Sequence, residues 1–345
     1  MSLKSIAQHL GLSTSTVSRA LNGDPDVSSD TRQRVLSAAK ASGYTPNQNA
    51  RRLKRGKSDI VGLVYPFQHN LIENVGFIQN TASISAVLAQ ENIDVFLISD
   101  AFFDQRLSFV RLIESRSVDA LIVAHTQTYD PRLIYLQEIG FPFLALGRSQ
   151  LPGRYAWFDF DNEAGTMIAT QAALAAGHRR IAYLGGACQL NFIRQRLHGF
   201  QRAMRQAGQT INPDWLFDIP LTSYAGYQAT RAMFSADVAP TAIVTDDRFT
   251  GEGVAIALQE LGYRPQDIAL YVYDGLPEDT TTTFEVIPIE QSTGDKVGEQ
   301  IGRMTLSLLA GTPPEQLQVL WQPALGRLST PFPPADIGDG GLTCR

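Results

Sequence analysis

The chain has 345 residues, 44% of them hydrophobic and 18% charged, the proportions of a soluble globular protein with room for two or three domains. Its formal net charge is −5, no apolar run approaches the ~20 residues of a membrane span, and the opening MSLKSIAQHLGL lacks the layout of a secretory signal. Only Cys188 and Cys344 occur, far apart and without metal-ligand spacing, which argues against a disulfide framework or a metal site, and for a reducing cytoplasm.

The charge is unevenly spread. Residues 1–57 hold ten Lys or Arg against Asp24, Asp26 and Asp30, a balance of +7, so the rest of the chain carries −12. A basic head on an acidic body suits a polyanionic partner for the head, or else a merely solvated basic tail; pattern has to separate the two.

In chain order, Ile6, Ala7 and Leu10 share one helical face, and Gly11 is placed to end that helix in a sharp turn. Ser13 is the expected N-cap of a second helix with Val17 and Leu21 inward, and Ser28 that of a third, with Val35, Leu36 and Ala39 inward and Gly43 as the stop. This is a helix-turn-helix with a small core. On the outer side of the second helix lie Thr14, Ser15, Ser18, Arg19 and Asn22, short donors and acceptors with one guanidinium, suited to base edges and phosphates. Next comes GYTPNQNARRLKRGKS, in which Asn47 caps a helix of about eight residues, too short to persist alone. Leu53 stands alone among Arg51, Arg52, Lys54 and Arg55: it serves as a minor-groove wedge or packs only against a dimer partner.

SIAQHLGLSTSTVSRALNG followed by VSSDTRQRVLSAAKASGYTPNQNARRLKRGKS resembles the DNA-binding head and hinge of the LacI/GalR family of bacterial transcription regulators. The resemblance implies that Thr14, Ser15, Thr16, Ser18 and Arg19 read operator bases and that Leu53 enters the minor groove. It places Asn22, Ser28, Thr31, Tyr44, Asn47 and Arg51 at phosphates or as braces.

From Ser58 apolar strands alternate with helical stretches: DIVGLVY, DVFLIS, VDALIVAH and PFLALG, then YAWFDFD, RRIAYLGG, WLFDIPL, TAIVTDD and IALYVYD. Near-continuous apolar strands with helical crossovers predict two α/β subdomains built on parallel sheets, with ligands at the carboxyl ends of the strands. Those ends carry Phe67-Gln68, His125, Arg148, Asp246-Asp247-Arg248 and Tyr273-Asp274, polar groups mixed with rings that suit a sugar. Other roles compete. Asp247 reads better as a helix cap than as a ligand contact, His125 as either turn or contact, and Arg196 with Asp274 as either a ligand site or a structural ion pair.

The resemblance continues through FDFDNEAGTMIATQAALAAGHRRIAYLGG, IRQRLHGF, TAIVTDD and IALYVYDG to about residue 330. It implies the fold of periplasmic sugar-binding proteins, with Arg196 and Asp274 on the ligand and Asp246 where the family usually has Asn. An ionised carboxylate there accepts hydrogen bonds but cannot donate. Phe67, Gln68, His125, Arg148 and Gln291 complete the expected ligand set. LIESRSVDALIVAHT, PFLALGR, AWFDFDN, VYDGLP and IEQST narrow the likeness to the raffinose operon repressor subgroup.

The reading is therefore a helix-turn-helix head (1–45), a hinge (46–57), a core (58–331) and a tail (332–345). Within the core, the first subdomain takes 58–157 with 292–319 and the second 158–291 with 320–331. It predicts a non-enzymatic cytoplasmic repressor, a homodimer on operator DNA released by a small sugar such as raffinose or melibiose. A regulator of another sugar, an α-glucoside for example, and a solute-binding protein are the competing readings, with a sugar hydrolase using Asp246 and Asp274 behind them. The tail lacks apolar heptads, so a dimer is expected rather than a tail-assembled tetramer.

Overall fold

A computed structural model of the chain describes residues 2–21, 23–44, 56–65, 75–99, 108–186, 188–291 and 295–328. The expected contacts Asn22, Asn47, Arg51, Leu53, Phe67 and Gln68, the hinge helix and the tail lie outside the described residues.

The head is three helices, α1 (Leu3–Leu10), α2 (Thr14–Leu21) and α3 (Ser29–Ala41). Ser2 and Ser5 bond reciprocally to open α1, and Gly11, at φ 67, closes it in a backbone region that glycine enters without a Cβ penalty. The Ser13 hydroxyl accepts from the Thr16 amide at 3.0 Å and that of Ser28 from the Thr31 amide at 3.3 Å, so both expected caps form. Ile6, Ala7, Val17, Ala20, Val27, Val35 and Ala39 make the core. Leu21 is half-buried and packs against this core as expected, beside Ala20, whereas Leu36 departs from expectation and is 44% exposed, because the seam runs through Val35 and Ala39. Small residues at the seam let three short helices close on one another.

The chain enters the body at Ser58 and Asp59, whose amides both donate to the Asp119 carboxylate, at 2.7 and 2.8 Å. The first half contains β1 (Ile60–Tyr65), α4 (Val75–Ala89), β2 (Asp94–Ser99), α5 (Val110–Glu114), β3 (Ala120–Val123), α6 (Pro131–Glu138), β4 (Phe143–Leu146) and β5 (Ala156–Phe160). The second contains α7 (Asn162–Ala175), β6 (Ile181–Gly185), α8 (Asn191–Gln206), β7 (Leu216–Asp218), α9 (Ser223–Met233), β8 (Ala242–Thr245), α10 (Arg248–Glu260), β9 (Ala269–Tyr273) and β10 (Ile287–Glu290). The chain then returns for α11 (Asp295–Leu309) and β11 (Gln318–Trp321) and crosses back for β12 (Ala324–Leu325).

Two six-stranded sheets result, in the orders β11-β5-β4-β3-β1-β2 and β12-β10-β9-β8-β6-β7, with every pairing parallel except β12 on β10. All six residues of β1 are buried, as befits a strand with helices on both faces. The nine predicted strands are all present. Three more, β10 to β12, are short and are specified by their neighbours in the sheet rather than by their own pattern. The expected subdomain boundaries after 157 and after 319 fall inside β5 and β11, both of which pair wholly within the first sheet, so the crossings come a few residues later.

Candidate functional site

On α2, Thr14, Ser15 and Arg19 are exposed and Thr16 and Ser18 half-buried, so the expected reading face is presented outward. Ser13 Oγ lies 2.7 Å from Ser15 Oγ and 2.8 Å from Thr16 Oγ1. The cap thus gathers three hydroxyls, each of which still has a lone pair to offer. Ser28 and Thr31 sit together at the start of α3 with their hydroxyls 2.9 Å apart, and Tyr44 packs on the head core. Sequence reasoning missed Arg32, whose guanidinium donates to the Asp24 carbonyl at 2.7 Å and braces the loop between α2 and α3.

In the body, the parallel strands of both sheets aim their carboxyl ends toward the crossings between halves. His125 follows β3 at φ 51, and its carbonyl accepts from Arg132, which pairs with Asp130 in a fully buried bridge of 2.7 Å. Asp130 also caps α6, so this bridge fixes the turn. The His125 ring meets Tyr65, hydroxyl to Nε2 at 3.0 Å, and Phe192 of α8 with ring centres 5.9 Å apart. Burial, and after it Arg132, brings its pKa down to about 4, leaving it neutral at pH 7. His125 is therefore a turn residue and a contact between halves at once.

Arg148 does not reach into the second half: its Nε binds Asp159 at 2.8 Å within the first. Its carbonyl accepts from the Asn191 side chain at 2.7 Å, while the Asn191 amide donates to the Thr126 carbonyl at 3.0 Å. With the Gln127–Leu190 bridge, these bonds seat the first turn of α8 on the first half.

Arg196, one turn after Phe192, is 6% exposed. Its Nε donates to Asn162 Oδ1 at 2.9 Å and its Nη1 to the Asp246 carbonyl, and its guanidinium lies 3.4 Å from the Tyr273 ring centre and 4.9 Å from that of Phe192. Two of its five N–H groups are thus taken. Close packing of α7 on α8 sets this position. Thr166 Oγ1 donates to the Arg196 carbonyl at 2.6 Å, and a Cβ on Gly199 would collide with the Glu163 carbonyl.

Asp274 stands at φ 65, held by Arg248 donating to its carbonyl at 3.3 Å. No ion pair joins it to Arg196 among the described residues, and its buried Oδ1 has no hydrogen-bond partner. The structural ion pair is therefore not formed. Burial pushes the Asp274 carboxyl up while Arg196 and Arg248 pull it down. Gln291 Nε2 and the Tyr273 hydroxyl are likewise buried without partners.

Asp246, expected at the ligand, is completely buried, with Oδ1 accepting from the Tyr183 hydroxyl and Oδ2 from the Gly186 amide at 3.1 Å, so the protein itself holds both carboxylate oxygens. Asp247 caps α10, accepting from Phe249 and Thr250 at 2.6 and 2.9 Å.

Tyr273 was among the strand-end residues read as suited to a sugar, whereas sequence reasoning missed Phe192 and Asn191. Phe192 was within reach, since a residue four before Arg196 shares its helical face. Asn191 carried no signal.

The site combines a buried guanidinium with spare donors, a carboxylate oxygen without a partner, an amide and aromatic faces, chemistry suited to a polyhydroxylated molecule, and no metal-binding cluster occurs among the described residues. No helix of the described residues is long and apolar enough to cross a membrane.

Residues 58–320 match the periplasmic binding proteins and sugar-binding domain of the LacI family, and residues 2–47 match the bacterial regulatory proteins of the same family. The HTH-type transcriptional regulator RafR of Escherichia coli is 44% identical over 338 residues, 97% of this chain and 100% of that one. Among solved structures, the lac repressor dimer bound to operator and the anti-inducer ONPF superposes with a TM-score of 0.82 at 24% identity, over 96% of this chain and 99% of that one. The complex of transcriptional regulator CelR with cellobiose gives 0.67 at 24%, over 95% and 99%. A helix-turn-helix head, a two-sheet body of this topology and matches across both parts lead to one assignment: the chain belongs to the LacI family of transcriptional regulators and is not an enzyme.

Proposed function

We propose that the chain is a cytoplasmic, homodimeric operator-binding repressor released by a small α-galactoside such as raffinose or melibiose. The observation that carries the sugar reading is Asp274, a carboxylate oxygen without a partner, in the same site as an Arg196 guanidinium that keeps unused donors. A sugar offers hydroxyls that donate to the one and accept from the other, and its C–H face suits the nearby Phe192 and Tyr273 rings. The likeness to RafR supports the same ligand class, and CelR, solved with cellobiose, shares the fold.

The outward face of α2 enters the major groove, with Thr14, Ser15, Ser18 and Arg19 toward bases and Ser28 and Thr31 toward phosphates. Two heads act together because two subunits pair, as in the lac repressor dimer. Exposed Ile78, Phe96 and Leu97 on α4 and the edge strand β2 supply an apolar face for that pairing. The sugar favours the arrangement of halves that binds it better, and release of operator follows in proportion to that difference.

Calorimetry with raffinose, melibiose, maltose and cellobiose tests the ligand class: a galactoside binds and lowers operator affinity, and Arg196→Ala abolishes that response while keeping operator binding. Binding of maltose alone would replace the galactoside by an α-glucoside. Unchanged induction of Arg196→Ala would overturn the site.

A further inference from the structure

Six groups touch in series across the body. Phe77 on α4 lies 4.1 Å, ring centre to ring centre, from Tyr65 at the end of β1, and Tyr65 lies 4.7 Å from His125. His125 meets Phe192 edge-on, Phe192 lies under Arg196, and Arg196 lies over Tyr273. The contact between His125 and Phe192 is the one place, among ring pairs of the described residues, where the row passes from one half of the body to the other.

We propose that Phe192 is a positioning residue of the effector response. Its ring backs Arg196 on one side and His125 on the other, so a ligand that draws Arg196 toward itself shifts a row of rings ending on α4.

Three features make the row more than adjacency. Both ends of the crossing are fixed: His125 by the buried Asp130–Arg132 pair, and Phe192 by Asn191 seated on Thr126 and Arg148. Packed groups held this way move between discrete arrangements instead of deforming smoothly. The His125 ring is neutral, so it packs beside Phe192 without repelling the Arg196 charge behind it. And the row ends beside the dimer face, since Phe77 adjoins Ile78, 52% exposed on the same helix. Coupling then needs no displacement of the β1 backbone, which pairs with β2 along all six residues; only the Tyr65 ring has to move.

The proposal rests on the effector reading of Arg196, and its test has one readout that needs no sugar. Hydrogen exchange of the full-length protein is followed in the second turn of α4 for wild type, Phe192→Ala, Phe192→Tyr and Phe200→Leu, the last a core residue of α8 stacked on Tyr183. Phe192→Ala is expected to speed exchange in α4 about fivefold or more, Phe192→Tyr to restore it, and Phe200→Leu to leave it alone. The ratio of operator Kd with and without raffinose is expected to fall by about tenfold in Phe192→Ala. Tyr65→Phe, which removes only the hydroxyl bound to His125, shifts both readouts in the same direction by less. Phe192→Ala and Tyr65→Phe variants with wild-type exchange in α4 would overturn the proposal. Failure of every sugar to release wild-type protein from operator overturns the effector reading instead, and the exchange data still decide the role of Phe192.

Discussion

Asp246 occupies a position at which the LacI/GalR resemblance implies an asparagine, and its surroundings give the exchange a measurable cost. Both carboxylate oxygens are used, by Tyr183 and by Gly186, and Arg196 touches only its backbone carbonyl. Burial pushes its pKa up from 3.8 to about 7, against the pull of Arg196 and the two hydrogen bonds. The folded state thus holds the proton more tightly than the unfolded chain does. The stability this gives is complete below about pH 4 and is lost as the pH rises through about 7. Asp246→Asn cannot ionise, so its melting temperature should exceed that of wild type at pH 8 and approach it at pH 5. Since each tenfold change in proton affinity is worth about 1.4 kcal/mol, the gap is on the order of a few kcal/mol. Equal differences at the two pH values would show that Asp246 carries no such load. Arg196 and Asp274 were singled out in the sequence because the stretches around them resemble LacI/GalR motifs, and the fold does bring them near each other. The use of Asp246 was not, because its partners lie 63 and 60 residues away on another strand and loop.

The elements that place the site were legible in proportion to how far each specifies itself. β1, β3 and β6 are runs of apolar residues buried on both faces, and such runs announce a strand wherever they fall. β10 contains Pro288 and β12 has two residues, so each is a strand only because β9 and β10 stand beside it. In the head, the caps at Ser13 and Ser28 were readable, whereas the exposure of Leu36 beside the Val35–Ala39 seam depends on three helices meeting. The pair α7 and α8 shows how an element sets chemistry: Gly199 lets the helices approach until Thr166 holds the Arg196 carbonyl. Gly199→Ala puts a methyl against the Glu163 backbone, which cannot swing aside as a side chain would. The cost should be about 1–3 kcal/mol in thermal or denaturant unfolding, with weakened sugar binding in calorimetry and operator binding retained. Sugar affinity equal to that of wild type would separate this helix contact from the placing of Arg196.

At the scale of the molecule, the first sheet ends, among the described residues, in the edge strand β2, with Phe96 44% and Leu97 50% exposed, near α4, which carries the exposed Ile78. Edge strands of that kind invite pairing. Replacing Phe96 and Leu97 together by Glu should give a monomer in sedimentation and reduce operator affinity by at least about a hundredfold, as one half-site is lost, while leaving sugar binding in place. A double variant that still sediments as a dimer would move the subunit contact elsewhere. The sequence carried the two-part organisation plainly, in the +7 head and the alternating body. The crossing points were less plain, because β5 and β11 look the same whichever sheet they join.

Those crossings set an order of events during synthesis. The head is complete once residue 44 has been made, whereas the first sheet of the body waits for β11, which ends at Trp321. At bacterial elongation rates the interval is roughly 15–55 s. Throughout it the growing chain presents a finished DNA-binding head attached to a body that lacks part of its first sheet. A chain ended by a stop codon anywhere in the body before that strand would carry the head on a body without β11 at the edge of its first sheet.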